Sequence, residues 1–311
     1  MEGLKSITIG NLTAWTCLAL SCLAAGSAHA AKRKKALPPP SLQQTFAPGK
    51  LKEDVNVLRQ ALERGHPGLY LYTPKEEFDR HFEQVEKAFD RPMNLREFYL
   101  EVAPLVEKVY CGHTYFDLPQ KLLNSLLKDD PQFPLPLIFL NKKAYLDHAK
   151  TEIPLGAEIT AINGIPMEDV MVKLLPQVRS DGYNATMKYH MLADDFALRH
   201  FLSFGRKETF RVDYLPFGSD ETIQTQIPAI LGKKLEGRMV QRHSRTGKFK
   251  KYKLGAIEKG ISLLSMNTFD FGLNKKGRQK YKGFLRDNFK ELEENDGAQC
   301  IILDLRQNDG G

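Results

Sequence analysis

Three places in the chain hold residue types that can do chemistry. The last ten residues, Ile302-Leu303-Asp304-Leu305-Arg306-Gln307-Asn308-Asp309-Gly310-Gly311, pass from an apolar stretch into polar side chains and a glycine pair. If the apolar stretch is a sheet strand, backbone N–H groups gather at its carboxyl end, where open α/β folds bind ligands and an oxyanion can be held. A plain strand-to-loop turn fits the same residues, because glycine pairs mark turns. Asp304 falls inside the strand and is expected to bond to neighbouring backbone or to an arginine, since a buried, unpaired carboxylate is costly.

The second place is Cys111-Gly112-His113-Thr114. Imidazole is the side chain best suited to take and return a proton near neutral pH, though His113 taken alone reads as a partly buried strand histidine bonded to backbone. On a strand, Cys111 and His113 would share a face and make a thiol–imidazole pair, but no cysteine-peptidase context surrounds them. Histidines 66, 81, 148, 190, 200 and 243 are scattered, without H-E-x-x-H or paired-cysteine spacing, so most of them read as surface or capping residues and no metal site or cofactor is expected. Ser244, Ser262 and Ser265 stand in a charged segment or a strand, and the chain has no G-x-S-x-G elbow. The third place is a basic run, residues 232–259, with ten Lys or Arg against Glu236 and Glu258. It is read as a solvated hairpin and not as a nucleic-acid surface, because Phe249 and Tyr252 are its only aromatics.

These residues need elements to hold them. Leu51, Val55, Leu58 and Leu62 repeat at helical spacing, and Phe78, Phe82, Val85 and Phe89 line a second helix after a Thr73-Pro74-Lys75-Glu76 capping box. Asn94 with Glu97 opens a third helix that buries Leu95, Phe98, Val102, Leu105 and Val109, with a kink expected at Pro104. Glu158 to Ile162 alternates as a strand closed by Asn163-Gly164, and Met167, Met171, Leu174 and Val178 continue as a helix. Phe210, Val212 and Tyr214 pair with Ile223, Thr225 and Ile227 in a hairpin joined through Phe217-Gly218-Ser219-Asp220. Ile261 to Met266, a helix over 281–292 with Phe284, Leu285, Phe289 and Leu292 inward, and an apolar strand from Cys300 make a βαβ unit. Its last strand should be buried on both faces.

A chain of 311 residues has room for two or three modules, and 42% apolar with 27% charged residues is ordinary globular composition. The net charge of +7 is concentrated in the basic run, so the rest of the chain is about neutral. Residues 14–25 are apolar but too few to span a bilayer, with Lys5 before them and Ala28-His29-Ala30 after them. They read as a secretory signal cut after Ala30, which implies an exported, periplasmic or extracellular protein without an integral membrane span. That removes Cys17 and Cys22, and leaves Cys111 and Cys300, in apolar, strand-like surroundings, as free thiols or as one optional disulfide.

Leu303-Asp304-Leu305-Arg306-x-Asn308-x-Gly310-Gly311 resembles the L-D-L-R-x-N-x-G-G signature of the tail-specific, or carboxyl-terminal processing, serine peptidases of family S41. Two more matches lie in the family's order: Cys111-Gly112-His113-Thr114 resembles its G-H-T element, and Gly156-Ala157-Glu158-Ile159-x-x-Ile162-Asn163-Gly164 resembles a stretch of its PDZ-like module. The resemblance implies a mixed α/β (α+β) chain divided into a signal (1–30), a linker (31–50), a helical region with the G-H-T element (51–129), a PDZ-like module (130–230), the basic segment (231–259) and the start of a peptidase core (260–311).

It also implies a serine-type endopeptidase without a cofactor, acting on polypeptides. His113 would be the base, Gly310 and Gly311 would supply an oxyanion amide, and Arg306 and Asn308 would brace the loop. Some members use a serine–lysine pair instead of the histidine. In the family the nucleophilic serine follows the glycine pair, so the sequence is expected to stop short of it. A polypeptide-binding protein or inactive peptidase remnant is the rival reading.

Overall fold

The computed structural model describes residues 41–148, 151–243, 251–270, 275–294, 299–306, 308 and 310. The proposed signal at 1–30 and the first half of the linker, 31–40, lie outside them. Two compact units divide at His243.

The first unit opens with β1 (Thr45–Phe46), α1 (Pro48–Gly65), α2 (Lys75–Ala88), β2 (Met93–Asn94) and α3 (Leu95–Glu107). The apolar residues read from helical spacing in these three helices are all buried. Asn94 caps α3 with the reciprocal Glu97 bond of a capping box, and the helix runs on through Pro104. Ordered chain begins before Leu51: Leu42 is buried in this core, and β1 pairs antiparallel with β2. At α2 the expected capping box does not form. Pro74 takes the cap position, and the Thr73 hydroxyl instead donates to the Lys108 carbonyl at 2.6 Å, bracing the end of α3.

The chain continues through α4 (Gln120–Asp129), β3 (Pro131–Gln132), β4 (Leu137–Leu140), β5 (Lys143–Leu146), β6 (Glu158–Ile162), β7 (Ile165–Pro166) and α5 (Met167–Leu174). Then come a short 3-10 turn (Leu175–Gln177), α6 (Ala185–Phe204), β8 (Thr209–Leu215), β9 (Ile223–Pro228), β10 (Ile230–Leu231) and α7 (Gly232–His243). One sheet has the order β4-β5-β6-β8-β9, with β7 added to β6. Asn163 and Gly164 both take positive φ, 53° and 78°, as a two-residue hairpin with this pair requires.

α6 joins two cores. Its Phe201 and Leu202 lie in the helical core, while Leu192, Phe196 and Ala197 lie in the core under the sheet. It is tied to α3 by the Lys188–Glu107 ion pair, by Arg199 Nη1 donating to Tyr99 Oη at 3.0 Å, and by Arg96 Nε donating to the Leu202 carbonyl. On the sheet side, the Phe196 ring packs on Phe133 at 5.4 Å between centroids. The helical region and the β module are therefore one packed body.

The second unit contains β11 (Tyr252–Glu258), β12 (Ile261–Met266), α8 (Lys275–Glu294) and β13 (Cys300–Asp304). β11 pairs antiparallel with β12, and β12 pairs parallel with β13, Ile261 opposite Cys300 and Ser265 opposite Asp304. The βαβ unit is present, and α8 is longer than its apolar spacing alone suggests. Two expectations fail. Among its described residues the basic run is not a hairpin of its own: it contains α7, on which Leu235 is buried, and β11, whose antiparallel partner β12 lies beyond the run. β13 is not buried on both faces either. Ile302 and Leu303 are 44% and 53% exposed, because β13 is an edge of a three-stranded sheet. The architecture is a mixed α/β fold, and among the described residues no helix is long and apolar enough to cross a membrane.

Candidate functional site: the Cys-Gly-His-Thr turn and the terminal loop

The Cys111–Thr114 segment is not a strand. α3 ends at Glu107, Tyr110 takes the left-handed conformation at φ 51°, and the chain closes a turn in which the Thr114 N–H donates to the Cys111 carbonyl at 3.0 Å. A non-glycine residue in that region needs support from its surroundings. Support comes from the loop before α6: the Gly182 N–H donates to the Tyr110 carbonyl at 2.9 Å, and the buried Ser180 hydroxyl donates to the Gly182 carbonyl at 3.0 Å. Three tyrosines lock the contact. Tyr110 and Tyr183 lie 5.2 Å apart between ring centroids, Tyr72 and Tyr183 lie 5.5 Å apart, and the Tyr183 hydroxyl donates to the Tyr72 carbonyl at 3.1 Å.

The turn brings its side chains to a third residue that sequence reasoning missed. The Gly112 N–H donates to Asp181 Oδ1 at 2.6 Å, and one ligand-capable atom from each of Cys111, His113 and Asp181 lies within 4.8 Å of the others. His113 and Asp181 are exposed and Cys111 is half-buried. Glycine at 112 lets the Asp181 carboxylate come close: a Cβ there would stand 2.8 Å from it and would push that exposed side chain aside. The site offers a thiol, an imidazole and a carboxylate to solvent, a set able to move protons or to hold a metal ion.

Deeper in the same unit, the Arg199 side chain is largely buried, with 12% of its surface exposed. It donates to the Gln177 carbonyl at 2.7 Å, and to Asp195 Oδ2 at 3.1 Å. Burial raises the pKa of the nearby Asp117 carboxyl against the pull of Arg199. His200 is no surface histidine. It is 2% exposed among Phe133, Phe196, Phe204 and Phe210, and its Nδ1 has no hydrogen-bond partner. Burial, with a smaller contribution from Lys207, lowers its pKa to about 4.

The terminal loop belongs to the second unit. Asp304 takes the arginine partner expected of it, Arg306, which donates to Oδ1 from Nε at 2.8 Å and to Oδ2 from Nη2 at 2.9 Å. Asn308 is the brace. Its Nδ2 donates to the Met266 carbonyl at 2.9 Å, and its Oδ1 accepts from the Gly310 N–H at 2.8 Å. The Gly310 carbonyl accepts from the Phe269 N–H at 2.8 Å and from the Thr268 hydroxyl at 3.1 Å, and Gly310 has φ 85°. The Gly310 amide is thus already engaged, and Gly311 lies outside the described residues. Cys111 and Cys300 are both free thiols, with Cys300 exposed on β13.

No protein-family model and no curated protein sequence matches this chain. Among solved structures, the fold is similar to that of a serine-to-alanine mutant of CPAF, a serine protease, with a TM-score of 0.50 and 14% identity. That likeness covers 85% of this chain and 57% of the CPAF chain, so this chain spans little more than half the length of its structural neighbour. At such identity the likeness establishes a shared fold, one that a protease also uses.

Proposed function

We propose that this chain belongs to an exported serine-type peptidase of the S41 tail-specific kind, acting on polypeptides. The observation that carries the reading is the terminal loop: Gly310 follows the parallel strand β13, and Asn308 ties it to the neighbouring strand β12. The signature resemblance and the CPAF-like fold support it. In this reading a serine hydroxyl attacks the scissile carbonyl, and its proton passes to His113 and then to the leaving amine. The tetrahedral oxyanion is held by backbone N–H. Because Asn308 engages the Gly310 amide, that task falls to Gly311, or to Gly310 after the Asn308 side chain turns away. The residue 137–228 sheet would hold the polypeptide by strand addition.

The engaged Gly310 amide also favours a second reading, a polypeptide-binding protein without catalysis. The two separate cleanly. Isolated at its natural length, the protein should hydrolyse an unstructured polypeptide, and a fluorophosphonate should label one serine. His113→Ala should lower the rate by about two orders of magnitude or more at unchanged melting temperature. Hydrolysis near the original rate would remove His113 as the base. Polypeptide capture with neither hydrolysis nor labelling would select the binding reading.

A further inference from the structure

We propose that Cys111, His113 and Asp181 form a zinc-binding site. Their ligand atoms already lie within 4.8 Å of one another. Four-coordinate zinc with bonds of about 2.0–2.3 Å places such donors about 3.3–3.7 Å apart. The side chains that must close that gap reach solvent: His113 and Asp181 are exposed and Cys111 is half-buried.

The backbone is set for it. Cys111 and His113 stand on one hydrogen-bonded turn, and Asp181 comes from a loop fastened to Tyr110 through Gly182. Asp181 Oδ1 is held by the Gly112 N–H, which leaves Oδ2 to face a metal ion, the outer hydrogen bond that orients a ligating carboxylate. Any side chain at 112 would crowd that carboxylate. A thiolate, an imidazole and a carboxylate together suit a borderline ion such as Zn²⁺ over Mg²⁺ or Ca²⁺, which prefer oxygen alone. Three protein ligands leave a fourth position for water, and binding releases the thiol proton to solvent. Binding stands independently of the peptidase reading. Only one corollary rests on that reading: an imidazole that ligates zinc has given up the lone pair a base needs.

The test uses the full chain with Cys17, Cys22 and Cys300 changed to serine, so that Cys111 is the one thiol, titrated anaerobically with Co²⁺ as a visible substitute for zinc. One equivalent should produce thiolate-to-cobalt charge-transfer absorption with the visible bands of four-coordinate cobalt, and one equivalent of Zn²⁺ should abolish both. Cys111→Ser should remove the charge-transfer band. Loss of an outer partner of a ligand costs about 10–100-fold in affinity, so His113→Ala and Asp181→Asn should each weaken binding at least about tenfold. Asn keeps an acceptor for Gly112, and circular dichroism matching the parent confirms that each variant is folded. Absence of the charge-transfer band at saturating Co²⁺ would overturn the proposal. So would unchanged affinity in the folded His113→Ala and Asp181→Asn variants, which would reveal a lone surface thiol.

Discussion

The unit up to His243 and the unit after it are built from similarly apolar strands, yet they treat them differently. In β6, Ile159 and Ile162 are 1% and 0% exposed, whereas in β13 Ile301 and Ile302 are 39% and 44% exposed. β6 lies inside its sheet with α5 packed against it, and β13 is an edge strand. An apolar run specifies a strand that seeks cover; the layers around it decide how much it receives. The same sequence signal therefore carries different energetic weight in the two units.

Substitutions can test that contrast directly, by chemical denaturation followed separately in each unit. Phe133 is wholly buried, so Phe133→Ala should cost about 3–5 kcal/mol in the first unit. A loss below 1 kcal/mol would mean that this core is loosely packed. His200 sharpens the comparison through pH. Its folded pKa of about 4 lies below the roughly 6.5 of an unfolded histidine, so the unfolded chain binds the proton first on acidification. The first unit should lose up to about 3 kcal/mol as pH falls from about 6.5 to about 4, with full stability restored above that window. His200→Phe should flatten that part of the stability profile, and an unaltered slope would show that His200 does not set it. Asn94→Ala removes the α3 cap and should cost about 1 kcal/mol. At the small end, Ile302→Ser should change the second unit's stability by no more than about 0.5 kcal/mol, since the side chain is already wet. A cost matching that of Phe133→Ala would erase the contrast.

Much of this architecture is legible in the residues, and the failures have physical causes. α1 to α3 show one apolar stripe each, and Asn163-Gly164 names its own turn because few residues accept positive φ. α6 escaped sequence reading: with Leu192, Phe196, Ala197, His200, Phe201, Leu202 and Ser203 all buried, it serves two cores and shows no single stripe. The Thr73 cap signal was sound locally but lost to a carbonyl 35 residues away. At the site, the bracing role of Asn308 followed from the family resemblance and not from a local pattern: one partner is Gly310, two residues on, but the other is Met266, 42 residues back on β12. Asp181 followed from neither. It meets Gly112 across 69 residues, and no local pattern records which of two loops will touch.

The placement of α6 also governs how this protein can be taken apart. Phe196 on one side and Phe201 on the other are a turn and a half of a single helix, so the helical layer and the sheet share a spine. A gene cut near residue 130 would leave the front fragment without its Phe201 and Leu202 plug, and would hand the rear fragment a helix with one greasy side bare. The two layers must be shuffled, swapped or inherited together.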